Sequence, residues 1–284
     1  MKRRDFVAGT CVAAGAWAAR ASALMMPVEE DRPPALPALY VAHGGPNLAA
    51  SEERARPLRE WGARLDAPRA YLGITPHTRA AGVQLTAIGV GRALMSFPRR
   101  FLPDADRFAY ASPDSSSIAD EVSEALRRTH VVGRGGDGIN HTIWQVLMHL
   151  RPQADVPVLQ LALPFDMSDR DLFRLGRSLA PLRRRGVMVV ASGNLTHNLA
   201  EVGRSRPAWA ERFDAWVAQR LDARDVDALV DWRRAAPDAS LAHPDDGGHF
   251  DVLLVALGAA SNESATFPVT GFEGSLSNRC IQLG

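Results

Sequence analysis

The chain has 284 residues, 46% of them hydrophobic, with 33 basic residues against 32 acidic ones and a formal net charge of +1. That is enough apolar material for a sizeable core in one large or two small domains, and the charge balance, with no basic block beyond the amino terminus, argues against a nucleic-acid partner. Of the two cysteines, Cys11 lies near the amino terminus and Cys280 near the end, which excludes a Cys-based zinc site and leaves Cys280 as a buried structural thiol.

The first residues read as a leader. Lys2-Arg3-Arg4 is basic, its twin arginine is followed by Phe6, and Val7 to Trp17 is a short Ala/Gly-rich apolar stretch. Ala21-Ser22-Ala23 has the small-x-small form of a cleavage site. Residues 1–23 are therefore expected to be a twin-arginine signal peptide, with the mature chain starting at Leu24. The apolar stretch falls short of the about 20 residues that span a bilayer. Its removal takes away Lys2, Arg3, Arg4, Arg20 and Asp5, and brings the net charge to −2. Cleavage leaves Cys280 without an intrachain partner. The expected location is the periplasm, reached already folded through the twin-arginine export machinery, with no membrane attachment afterwards.

Residues 24–36 are Pro-rich and acidic and read as a linker; 37–284 read as one domain. Ala38 to Ala42 is a first strand, Glu52 to Leu65 an amphipathic helix, and Tyr71 to Pro76 a second strand. Val83 to Val90 is strand-like, and Pro98 to Pro113 has no period. A helix capped by Ser117 runs to His130, and the glycine-rich 133–138 leads into another capped by Asn140 and ended by Pro152. Val156 to Leu163 and Val187 to Ala191 are apolar on both faces, as in buried parallel strands. Between them Ser168 caps a helix that runs to Arg185. A long helix follows from Pro207 to about Asp225, then a polar stretch, Asp227 to Pro244, expected to be irregular surface. A helix from His249 to Ala260 and a strand at Cys280 to Leu283 close the chain. Strands alternating with helices predict an α/β fold: a single three-layer αβα domain with a mainly parallel central sheet.

Five of the eight histidines occupy equivalent places in that plan. His43, His77 and His197 follow strands; His141 and His249 open helices. Ligands in open α/β sheets bind beyond the carboxyl ends of strands, and imidazole is the commonest metal ligand. The grouping suggests a metal site with its own acid/base groups. The polar residues Ser192 to Asn198 around His197 are of the kind that fix a tautomer. His130, His149 and His243 read as structural.

At these residues the chain resembles the class III extradiol ring-cleavage dioxygenases of the LigB type, and within them the DOPA-cleaving branch. The resemblance spans Pro37 to Gly284 and rests on Ala42-His43-Gly44-Gly45-Pro46, on Gly138-Ile139-Asn140-His141-Thr142-Ile143-Trp144, on Val190 to Leu199, on His249-Phe250 and on Gly274-Ser275-Leu276-Ser277. It implies a mononuclear Fe(II) centre, with Zn(II) as a possible substitute, held by His43, His77 and His249. It implies His197 as the acid/base and His141 as a second pocket histidine that orients substrate or dioxygen. The expected reaction is the opening of a catechol ring with O2. The family usually has a small residue before the second ligand and a tryptophan after it, where this chain has Pro76 and Thr78. A family motif downstream of that ligand is replaced around Met95 to Arg100. Two other readings stay open: a zinc-dependent hydrolase that activates water on the same histidines, with Asp245 or Asp246 as base, and a non-catalytic periplasmic metal- or ligand-binding relative.

Overall fold

The computed structural model describes residues 33–45, 47–87, 110–135, 138–203, 205–244 and 248–284. The expected signal peptide, most of the linker, Met95 to Arg100, Asp245 and Asp246 lie outside the described residues. Pro33–Gly284 is one compact unit. Its first half contains β1 (Ala38–Ala42), α1 (Glu52–Gly62), β2 (Ala70–Ala80), β3 (Val83–Ala87), α2 (Ser116–Arg127), β4 (Val132–Arg134), α3 (His141–Leu150) and β5 (Val158–Pro164). Its second half contains α4 (Asp169–Arg183), β6 (Val187–Gly193), α5 (Ala208–Asp222), α6 (Val226–Val230), α7 (Trp232–Ala235), α8 (Ala239–Ala242), α9 (Gly248–Ala259), β7 (Ala265–Val269), β8 (Phe272–Glu273), β9 (Leu276–Ser277) and β10 (Cys280–Leu283).

Eight strands form one sheet in the order β4-β3-β5-β2-β6-β1-β10-β7. Its centre, β5-β2-β6-β1, is parallel throughout. Antiparallel pairings enter at the flanks, where β3 meets β5 and β10 meets β1 and β7. Alternate residues of the central strands feed two separate cores. Leu72, Leu161, Val189 and their neighbours pack with α2, α4, α5 and α9 on one face. Tyr71, Val158, Met188 and Val190 pack with Leu58 and Trp61 of α1 and Ile143 and Trp144 of α3 on the other. The three layers are those expected, and burial on both faces explains why β5 and β6 are apolar apart from Gln160 and Ser192.

Two of the helix caps are as read. The Asn140 side chain accepts from the Thr142 N–H, and that of Ser168 from the Asp171 N–H. Other boundaries differ. Helix α2 starts before Ser117, because the Asp114 carboxylate accepts from both the N–H and the hydroxyl of Ser116. Its glycine-rich sequel is not all loop, since Val132–Arg134 pairs with β3 as an edge strand. The stretch from Asp227 to Pro244 is not irregular surface. It folds into α6, α7 and α8, which bury Leu229, Val230, Trp232 and Ala242. Trp232 meets Phe213 of α5 edge to face, with centroids 6.0 Å apart. None of the described helices is long and apolar enough to cross a membrane.

Candidate metal centre

The carboxyl ends of β1, β2 and β6 open on a cavity of about 380 Å³. Gly44, with φ +59, turns the chain sharply after β1 and leaves His43 at the strand end. His43 is anchored on both sides: its N–H donates to the Gly193 carbonyl at 3.1 Å, and its Nδ1 lies 3.0 Å from Ser192 Oγ. Asn194 Oδ1 accepts from the Gly44 N–H at 2.8 Å and fixes the turn.

A bulge in β2 presents His77. Ile74 pairs with Leu161, yet Arg79 pairs with Leu163, so β2 carries three more residues than β5 over that interval. The intervening stretch, Thr75 to Thr78, includes Pro76, which has no N–H to give to a ladder. His77 is pushed out and is exposed at the cleft. Beyond the bulge Arg79 is tied to Asp251 at 2.6 Å, and Asp251 also meets Arg233 at 3.2 Å. This partly buried pair links the strand that carries His77 to the helix that carries His249.

His249 is the second residue of α9, and its carbonyl accepts from the Tyr40 hydroxyl at 3.1 Å. The close approach depends on Gly193, where an added Cβ would lie 2.4 Å from the His249 carbonyl oxygen. Ligand atoms of His43, His77 and His249 all lie within 4.8 Å of one another. The ring centroids are 5.5 Å apart for His43 and His77, 5.1 Å for His43 and His249, and 5.0 Å for His77 and His249. His141, first in α3, stands 5.7 Å from His77, and His197 stacks on His249 at 3.5 Å. All five histidines singled out in the sequence line the same cavity.

The three grouped imidazoles resist protonation. His43 and His249 are held well below the ordinary histidine range, first by burial and then by the other imidazoles. His77 is lowered to about 4, with desolvation the larger cause and His141 and His197 next. Neutral imidazoles have their lone pairs free to bind a metal. Nδ1 of His249 is buried and has no hydrogen-bond partner among the described residues, as befits a site completed by an ion. An all-nitrogen donor set suits iron, zinc, copper or nickel, so the residues fit a metal ion without singling one out.

Sequence adjacency misassigned one set of partners. Ser192 and Asn194 stand near His197 in the chain, yet their bonds go to His43 and Gly44 across the β6–β1 pairing. The cavity is also lined by Thr142, Leu199 and Leu276, which lie in the motifs behind the resemblance but had no role assigned, and by Gln145 and Val202, which no sequence signal marked. His149 and His243 are structural as read: their Nε2 atoms face the carbonyls of Leu48 and Leu195 at 3.2 and 2.8 Å.

Fold and site together define an α/β protein with three imidazoles grouped at the carboxyl edge of its sheet, as a metal ion would require. Residues 37–276 match the family of catalytic LigB subunits of aromatic ring-opening dioxygenases. The chain is 32% identical to a 4,5-DOPA dioxygenase extradiol of Escherichia coli K12 over 262 residues, covering 88% of this chain and 95% of that one. It is 28% identical over 235 residues to the protein of the same name from Beta vulgaris, covering 79% and 87%. The crystal structure of an uncharacterized protein from Escherichia coli K12 superposes with a TM-score of 0.73 at 30% identity, covering 88% of this chain and all of that one. The chain belongs to the LigB family and is an extradiol ring-cleavage dioxygenase of the DOPA dioxygenase-like branch. It is a metal-dependent enzyme acting on a small aromatic substrate and O2. The hydrolase and non-catalytic readings are not favoured by any of these relatives.

Proposed function

We propose that the protein holds one Fe(II) on His43, His77 and His249 and cleaves a DOPA-like catechol with O2 between them, His141 and His197. The observation that carries this reading is the convergence of ligand atoms of three imidazoles, from three separate elements, to within 4.8 Å of one another. Bound there, iron supplies the redox chemistry that reaction with O2 requires and that zinc lacks. The names of the relatives support a catechol of the DOPA kind.

The remaining work falls to the chain itself. His197 takes a proton from a catechol hydroxyl and returns one later, a service worth about 10²–10⁴-fold in rate. His141 sits at the amino end of α3, where the helix dipole favours a neutral imidazole able to accept a hydrogen bond from substrate. Leu199, Val202 and Leu276 offer the ring an apolar wall. The test is oxygen uptake by protein purified anaerobically and reloaded with Fe(II), on addition of a panel of catechols. Uptake with a new yellow chromophore is expected. No uptake with iron bound would overturn the reading.

Export to the periplasm completes the proposal. It is supported by the twin arginine Arg3-Arg4, the short apolar stretch and the Ala21-Ser22-Ala23 site. Fractionation of cells that express the full chain is expected to place a shortened protein in the periplasm, and a chain with Arg3→Lys and Arg4→Lys in the cytoplasm. A full-length cytoplasmic product from the unaltered chain would refute export.

A further inference from the structure

The Ser192 hydroxyl, one residue before the end of β6, stands between two partners. It is 2.8 Å from the Thr142 carbonyl oxygen and 3.0 Å from Nδ1 of His43. Ser192 is fully buried and His43 is 4% exposed. A hydroxyl has one proton to give. A carbonyl oxygen only accepts, so that proton goes to Thr142 and the hydroxyl turns a lone pair toward the imidazole. The contact with His43 is then a hydrogen bond only when Nδ1 carries the ring proton. The opposite arrangement, with Ser192 donating to Nδ1, faces two oxygen atoms across 2.8 Å without a hydrogen between them. It costs a buried hydrogen bond.

Thr142 is held in turn, so its carbonyl is a fixed reference. The Thr142 N–H, which can only donate, reaches Asn140 Oδ1 at 3.1 Å, and the Thr142 hydroxyl donates to the same oxygen at 2.9 Å. With that proton committed, the Thr75 hydroxyl donates to Thr142 Oγ1 across 2.7 Å. The amino end of α3 is thereby tied to β2 through Thr75 and to β6 through Ser192, and each proton in the chain of bonds has one possible place.

We infer that Ser192 is a positioning residue: it holds His43 as the Nδ1–H tautomer and so leaves the Nε2 lone pair for the metal. A neutral imidazole has one ring proton, and its location decides which nitrogen can bind an ion. Outer partners of this kind orient metal-binding histidines, and their loss typically costs about 10–100-fold in metal affinity. The inference rests on the reading of His43 as a ligand.

The test uses metal-free full-length protein with isotope-labelled histidine, studied near neutral pH by long-range proton–nitrogen correlation. His43 is expected to show a protonated Nδ1 and an unprotonated Nε2. Ser192→Ala is expected to lose that preference and to bind Zn(II) about 10–100-fold more weakly. Ser192→Thr, which keeps the hydroxyl, is expected to retain the tautomer. A merely structural serine would lower the melting temperature of Ser192→Ala and leave the tautomer alone. A protonated Nε2 on His43 in the unaltered protein overturns the inference, and that measurement needs no variant to fold. Ser192→Ala with unchanged tautomer and unchanged Zn(II) affinity overturns it as well. If added Zn(II) leaves the Nε2 resonance of His43 in place, the ligand reading fails and the metal-positioning role falls with it, while the metal-free spectrum still reports the tautomer.

Discussion

His197 lies face to face on His249, with ring centroids 3.5 Å apart and ring planes inclined by only 15°. An imidazole binds a metal through a lone pair that lies in the plane of its own ring. Were His249 to hold an ion, the in-plane lone pairs of His197, whose ring lies nearly parallel at 3.5 Å, would not converge on it. His197 cannot aim a lone pair at that ion from where it stands. Its place in the cavity beside the three grouped imidazoles suits it to exchange protons with a bound substrate.

His197→Ala is accordingly expected to keep its metal and to lose turnover, with kcat down by about 10²–10⁴-fold. Metal analysis of the purified variant, set beside its oxygen uptake, separates the two effects. If metal leaves together with activity, His197 is a ligand after all. If kcat is unchanged, it handles no proton that limits the rate.

His77 offers the cleanest test of the ligand set. It stands exposed on the bulge of β2, whereas His43 and His249 are each 4% exposed. Truncation of an exposed side chain typically moves stability by no more than about 0.5 kcal/mol. His77→Ala is thus expected to melt in its metal-free form close to the unaltered protein and to lose stoichiometric metal. Full metal occupancy in this variant would remove His77 from the centre.

The five site histidines are legible in the sequence because each follows an apolar strand-like run or opens a helix, and a parallel sheet gathers those points on one edge. Their partners are less legible. Ser192 reaches His43 only because β6 lies beside β1, and strand order is not written in the periodicity of a single chain. The bulge of β2 is hidden for a related reason. It exists relative to the register of β5, and Pro76 hints at a break without giving its direction. The helices between Asp225 and His243 escape notice because each is only four or five residues long. So short a segment shows no period, although Leu229, Val230 and Trp232 are buried. Length decided what was visible there, not composition.

Acid should weaken the metal-free protein, and the sign follows from proton counts. His43, His77 and His249 have lowered pKa values in the fold, His77 at about 4 against an ordinary 6.5. Between those values the unfolded chain binds protons that the native state refuses, so stability rises with pH across that window. Their contribution is complete above the unfolded value and is lost as pH falls toward the folded ones. Asp251 runs the other way. Burial raises its pKa to about 6 against the pull of Arg79 and Arg233, so its share of stability is lost as pH rises from 3.8 toward 6. Three imidazoles outweigh one carboxyl, and a net loss of stability on acidification from about pH 6.5 to 4 is expected. Denaturant melts over that range measure it. His77→Ala should show a shallower dependence, and an identical slope in that variant would show that His77 does not titrate with folding.

Gly193 carries the last prediction because the first turn of α9 rests on it. A methyl group there would lie 2.4 Å from the His249 carbonyl oxygen, 2.9 Å from the Tyr40 hydroxyl and 2.9 Å from a Val252 methyl. The carbonyl is backbone and cannot rotate out of the way. Relief must come from moving the amino end of α9 off the sheet, and His249 travels with it. Overpacking of a filled interior typically costs about 1–3 kcal/mol, and the same movement opens the group of three imidazoles. Gly193→Ala is therefore expected to lower stability by about that amount and to weaken metal binding by more than a remote substitution of equal destabilising effect. Comparison with Leu221→Ala, a truncation in α5 at a residue 3% exposed, supplies that control. Equal metal affinities in the two variants would mean that α9 tolerates the methyl without shifting His249.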